Sequence, residues 1–253
     1  MQLDELSTWL DTQLLVADFA KSDSAINGLQ LGDKQRSVNK IAFAVDACLE
    51  SFQLSQEWGA DLLITHHGLF WGHQEPITDL LFKRIEFLCK HNLALYSSHL
   101  PLDRHPEFGN NAGLCAQLAL TNLEPFGLYK GTAIGFKGTL PSPMKLEEIS
   151  FRLFGDERGC LGQLPFGKTL NQTVGIISGG ATMEVFQAIS QKLDVYITGD
   201  SDHTIYHACQ EAGINVLFGG HYQTEVWGVS LLAKKIKAEL GIETKFFDIP
   251  TGL

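Results

Sequence analysis

Asp61-Leu62-Leu63-Ile64-Thr65-His66-His67-Gly68-Leu69-Phe70-Trp71 is the stretch that decides how this chain is read. An apolar run of strand length ends in two adjacent imidazoles and a glycine. A strand with no polar alternation is buried on both faces, as in parallel sheets covered by helices. Open α/β sheets keep their ligand sites outside the C-terminal ends of their strands, and imidazole is the commonest protein metal ligand. The expectation is a strand end that offers His66 and His67 to a metal site, with further ligands supplied by other strand ends.

The same pattern recurs along the chain. Ile41-Ala42-Phe43-Ala44-Val45 ends at Asp46, and Leu93-Ala94-Leu95-Tyr96-Ser97-Ser98 ends at His99, with Asp103 shortly after. Val174-Gly175-Ile176-Ile177-Ser178 runs into Gly179-Gly180-Ala181, and Val195-Tyr196-Ile197-Thr198 ends at Gly199-Asp200. Ile214-Asn215-Val216-Leu217-Phe218 ends at Gly219-Gly220-His221, with Glu225 one helical turn on. Leu3, Leu6, Leu10 and Leu14, with Trp9, repeat at helical spacing, as do residues 80–89, 110–120, 203–212 and 224–240. Residues 244–249 read as a last strand. Strands alternating with helices predict an α/β fold with largely parallel sheets. Residues 121–173 break the rhythm: 136–140 reads as a strand, 145–154 as a helix, and Gly127, Gly131, Gly135 and Gly138 mark turns. A change of domain is expected near residue 125, giving a first α/β domain over 1–125 and a second over 126–225.

With 253 residues, 44% of them hydrophobic and 19% charged, the chain has the composition of an ordinary globular protein of one large or two small domains. A formal charge of -10 argues against nucleic acid or an anionic membrane surface as a partner, since both call for a basic face. The five cysteines are scattered, with no C-x-x-C pair, which suggests neither a disulfide framework nor a thiolate zinc site but small buried side chains in a reducing compartment. Met1-Gln2-Leu3-Asp4-Glu5-Leu6 lacks the basic and apolar segments of a signal peptide. No apolar run approaches the ~20 residues of a membrane span. The expected setting is the cytoplasm.

Ionisable residues collect at the strand ends: Asp46, His66, His67, His99, Asp103, Asp200, His203, His221 and Glu225. Neighbouring strand side chains point to opposite faces, so His66 and His67 are expected to diverge around a shared carboxylate and hold separate ions. His221 and Glu225 share a helix face at i,i+4. Glu225 is the candidate bridge between two ions, and Asp103 would complete one shell. The ligand set is therefore His66, His67, Asp103, His221 and Glu225. Such nitrogen and oxygen donors suit Zn²⁺, Mn²⁺, Fe²⁺, Ni²⁺ or Mg²⁺. Two ions ~3.5–4 Å apart lower the pKa of a bridging water, so hydrolysis is the chemistry that follows.

Plainer roles exist for several of these residues. His99, His203 and His207 read equally as hydrogen-bonded structural histidines, and His73, His91 and His105 as loop residues. Asp46 and Asp200 read as helix N-caps. Ser178-Gly179-Gly180-Ala181 is either a phosphate-binding turn at a helix start or a tight structural turn. Phe70 and Trp71 either pack in the core or line a ring pocket.

These residues together resemble the Nif-three-like dinuclear-metal proteins, labelled GTP cyclohydrolase I type 2 homologues. The resemblance covers nearly the whole chain. It rests on Asn27-Gly28-Leu29-Gln30, Thr65-His66-His67-Gly68-Leu69-Phe70-Trp71, His99-Leu100-Pro101-Leu102-Asp103, Gly109-Asn110-Asn111, Ile197-Thr198-Gly199-Asp200, Gly220-His221-Tyr222-Gln223-Thr224-Glu225 and Asp248-Ile249-Pro250. It implies that His66, His67, Asp103, His221 and Glu225 hold two metal ions, with the glutamate shared. It also implies two intertwined α/β domains, a C-terminal segment of about 226–253 returning to the first, and a ring-shaped homohexamer. The chain departs from the family pattern at Ser178-Gly179-Gly180-Ala181, where relatives often carry more glycine, and at Thr251.

The expected function is a dinuclear metal-dependent hydrolase acting on a nucleotide or related small molecule. GTP cyclohydrolase is the named candidate, with His99 or His203 as acid/base. The alternatives are a non-catalytic metal-binding, metal-delivery or adaptor protein, and a ring that handles nucleic acid through Lys130, Lys137, Lys145 and Lys168, which the net charge disfavours.

Overall fold

The computed structural model describes every residue except Gln74, with the backbone alone at residues 156–158. In chain order the first elements are α1 (Leu3–Gln13), β1 (Gly28–Leu31), β2 (Lys40–Asp46), α2 (Leu49–Trp58), β3 (Leu62–His67), α3 (Asp79–Lys90) and β4 (Ala94–Ser97). There follow α4 (Leu100–Arg104), α5 (Asn110–Gln117), β5 (Thr121–Tyr129), β6 (Thr132–Met144), α6 (Leu146–Arg158), β7 (Gly162–Pro165) and β8 (Asn171–Ile176). The last are α7 (Val185–Ser190), β9 (Val195–Thr198), α8 (Tyr206–Ala212), β10 (Asn215–Phe218), α9 (His221–Leu240) and β11 (Glu243–Phe246). No helix among the described residues is long and apolar enough to cross a membrane.

The chain forms two compact units, Met1–Leu102 with Gly228–Ile249, and Asp103–Trp227 with Pro250–Leu253. The change of unit thus falls at Leu102/Asp103 and not near residue 125, and Asp103 belongs to the second unit. The reason lies in α5, β5 and β6. Leu114, Cys115 and Leu118 bury in one core with Val174, Ile176 and Val195, and β6 pairs with β8. A boundary at residue 125 would cut that sheet and that core.

The first unit holds a five-stranded sheet in the order β1-β4-β3-β2-β11. The β2, β3, β4 and β11 pairings are parallel, and β1 runs antiparallel to β4. β3 at its centre is buried along all of Leu62–His66, as its unbroken apolar run predicts. Leu3, Leu6, Leu10 and Leu14 of the first amphipathic helix are buried, on the face their spacing marks. Ala42, Ala44, Phe52, Leu63, Leu88, Leu95 and Phe247 form one core cluster. Each large apolar side chain fully buried in such a cluster contributes ~1.5–3 kcal/mol. Register pairs Ala44 with Thr65, Thr65 with Ser97 and Asp46 with His67, so three strand ends lie side by side at one rim.

The second unit holds a six-stranded sheet in the order β5-β6-β8-β9-β10-β7. Here the expected parallel arrangement is limited to β8, β9 and β10; β5, β6 and β7 are attached antiparallel. The cause is local. Tyr129 pairs with Thr132 across Lys130-Gly131, both at positive φ (46° and 83°), the two-residue primed turn whose twist matches a hairpin. Both units are mixed α/β. All five cysteines are free; Cys115 and Cys209 are buried, whereas Cys89 is exposed.

Candidate metal centre

The rim of the first unit gathers three imidazoles. His66 is fully buried at the end of β3, its Nδ1 3.0 Å from the Ser98 carbonyl oxygen. His67 Nδ1 lies 2.8 Å from Asp46 Oδ1, and His99 Nδ1 2.9 Å from Asp23 Oδ1. The ring centroids are 4.6 Å (His66–His67), 5.1 Å (His66–His99) and 5.7 Å (His67–His99) apart, and one donor atom from each falls within 4.8 Å of the others. The rings of His66 and His67 thus lie close together at the end of β3, tilted 48° to one another.

Asp46 is not the cap of α2; Cys48 accepts the bond from Ser51 N instead. Asp46 is a ring anchor. Asp23 plays the same part for His99, and no apolar run marks it in the sequence, since it lies in the irregular stretch before β1. Its carboxylate also accepts from Ala25 N, Asn27 Nδ2 and Leu100 N at 2.9, 2.9 and 3.0 Å. Burial alone would raise the Asp23 pKa, but the bonds and charge from His99, Asn27 and Ala25 outweigh it and hold the group down at about 2. Asn27 Oδ1 in turn accepts from His99 N at 2.7 Å. Gln30 accepts from Leu69 N at 2.8 Å and lies so close to Gly68 that a Cβ there would overlap its amide, which explains the glycine after the histidine pair. Phe70 packs on the core cluster. Trp71 stands edge-on to His99 at 5.1 Å and lies 5.9 Å from His67.

The second unit gathers one imidazole and the carboxylates of Asp103, Asp200 and Glu225. His221 opens α9, and its Nδ1 lies 3.0 Å from Asp200 Oδ1. One turn on, Glu225 Oε1 lies 3.3 Å from His221 Nε2. Burial would lower the His221 pKa, but the bonds and charges of Glu225 and Asp200 prevail and raise it to about 9. Asp200, like Asp46, anchors a ring; the cap of the following 3-10 turn is Asp202, which accepts from Thr204 N. Asp103 and Glu225 are both buried, with oxygens within 4.8 Å of one another. His203 is exposed at the start of that turn and stands outside these clusters.

The glycine turn differs from the phosphate-binding alternative. Ser178 N donates to Asn111 Oδ1 at 2.8 Å, Gly179 N to Thr224 Oγ1 at 3.0 Å and Ala181 N to the Gly179 carbonyl at 3.1 Å. Those donors are used within the protein. A Cβ at Gly179 would overlap Glu225 Oε1 and come 3.2 Å from His221 Nε2, so the glycine leaves room for those two side chains.

The donor sets fit divalent cations. His66, His67, His99 and His221 each pair Nδ1 with a neighbouring oxygen, which fixes ring orientation and leaves Nε2 as the ring nitrogen that could take a cation or a proton, as in the outer support typical of metal-bound histidines.

Comparison with known proteins places the chain among relatives that match it over its whole length. The family model described as Duf34/NIF3 (NGG1p interacting factor 3) matches residues 1–251. A protein of Treponema pallidum (strain Nichols) called GTP cyclohydrolase 1 type 2 homolog is 41% identical over 286 residues, covering 100% of both chains. One of the same name from Archaeoglobus fulgidus is 41% identical over 253 residues, again covering 100% of both. The crystal structure of TTHA1606 from Thermus thermophilus superposes with a TM-score of 0.88 at 36% identity, over 100% of each chain.

Proposed function

Because the chain belongs to the Duf34/NIF3 family, we propose that His66, His67, Asp103, His221 and Glu225 hold two divalent cations, with Glu225 shared, and that the protein hydrolyses a nucleotide or related small molecule. The observation that carries this reading is the common anchoring of the imidazoles through Nδ1. The metals are drawn from Zn²⁺, Mn²⁺, Fe²⁺, Ni²⁺ and Mg²⁺. When bound, such a pair supplies Lewis acidity and lowers the pKa of water.

The chain's own side chains supply the rest. Asp23 anchors His99 through Nδ1 and leaves its Nε2 to take up and return a proton; His99 is thus preferred to the exposed His203. Trp71 beside His67 and His99 offers an aromatic wall suited to a heterocyclic ring. The relatives' shared name makes GTP the first substrate to try. A homohexameric ring and a cytoplasmic setting belong to the same proposal, and sedimentation of the purified chain checks the first.

The test is to load the pure protein with each metal, count the ions, and follow GTP and a nucleotide panel by chromatography beside Glu225→Gln. Turnover that needs metal and fails in E225Q supports the reading. A full metal load with no turnover of any nucleotide overturns the hydrolase and leaves metal binding or delivery in its place.

A further inference from the structure

Asp103 sits on α4, a helix of a turn and a half, and is 5% exposed. Such a short element cannot by itself hold a carboxylate in one orientation. Two side chains do so: Asn110 Nδ2 and Ser178 Oγ both donate to Asp103 Oδ1, each at 2.8 Å. Ser178 is itself held, its N–H donating to Asn111 Oδ1 at 2.8 Å, while Asn111 Nδ2 donates to the Asp103 carbonyl at 3.2 Å. Asn110 and Asn111 are fully buried and Ser178 is 6% exposed.

We propose that Ser178 is a positioning residue for Asp103, and that Ser178-Gly179 is a support of the metal centre, not a phosphate site. The inference rests on the ligand role of Asp103 proposed above. Two neutral donors on one oxygen set the plane of the carboxylate without neutralising its charge, which stays available to a cation. Gly179 completes the support from the other side, since only a residue without Cβ clears Glu225. Local pattern could not show this: residues 103 and 178 are 75 positions apart.

The test measures Zn²⁺ affinity by chelator competition in the full chain for wild type, Ser178→Ala, Ser178→Thr, Asp103→Asn and the S178A/D103N pair. Alanine differs from serine by one oxygen, so the fold is kept. S178A is expected to weaken one Zn²⁺ step by about tenfold, S178T to restore it, and S178A to add nothing in the D103N background. Wild-type affinity in S178A, or the same loss with and without Asp103, overturns the positioning role while leaving the centre standing. Failure of the wild-type chain to bind Zn²⁺ overturns both.

Discussion

Asp46 and His67 are register partners at the ends of two parallel strands, and their side chains meet at 2.8 Å between Oδ1 and Nδ1. The pairing that builds the sheet therefore also aims the ring. A carboxylate behind an imidazole holds its tautomer and raises its basicity as a ligand.

Asp46→Asn keeps the size and one acceptor but removes the charge behind His67. The Asp46 side chain is 40% exposed, which places the effect at the lower end of the range for such partners, about tenfold in Zn²⁺ affinity. Chelator competition measures it, and an unchanged affinity would remove Asp46 from the support of the site.

The depressed Asp23 makes an acid-stability prediction. Its pKa falls from 3.8 unfolded to about 2 folded, so its stabilisation is fully present above pH 3.8 and fades as pH drops through 2. A shift of this size corresponds to ~2 kcal/mol. Urea unfolding at neutral pH should find Asp23→Asn weaker by about that amount, with the gap to wild type closing in strong acid.

His221 predicts proton release. Without metal its pKa stands at about 9 instead of 6.5, so at neutral pH the ring is charged and a cation has to displace its proton. Zn²⁺ affinity should rise with pH up to about 9. Calorimetry in buffers of different ionisation heat counts the protons released, and His221→Gln should release fewer. In the metal-free protein the raised pKa adds stability that is complete below pH 6.5 and lost as pH climbs through 9.

Gly179→Ala faces two obstacles, a φ of 65° and a Cβ that would overlap Glu225 Oε1. Gly131→Ala is the control, with φ 83° and nothing within 4 Å. The control should lose ~1–2 kcal/mol of stability and keep its Zn²⁺. G179A should lose more stability and bind Zn²⁺ far less well. Thermal melts with a metal count separate the two, and equal behaviour would mean Glu225 simply moves aside.

Much of this protein is legible without coordinates. The strand from Leu62 and the helix faces of Leu3, Leu6 and Leu10 follow from apolar periodicity, which is a property of neighbouring residues. The same periodicity singles out His66, His99 and His221 as candidates, because they stand where apolar runs stop; Asp103 and Glu225 follow within the next helices. Residues 121–144 were not, because glycines and prolines in that stretch mark turns without saying which strands pair. Only the assembled sheet shows a hairpin joined to β8.

What the sequence determined by itself is the alternation of strands and helices and the polar residues at the strand ends. The tertiary structure decided which oxygen stands behind each ring: Asp46 for His67, Asp23 for His99, Asp200 for His221 and the Ser98 carbonyl for His66. It also turned the Ser178-Gly179 step from a possible anion cradle into the support of Asp103 and Glu225. The physical reason is range. Burial pattern is written every two or four residues, whereas a hydrogen bond between positions 23 and 99, or 103 and 178, exists only after the chain between them has folded.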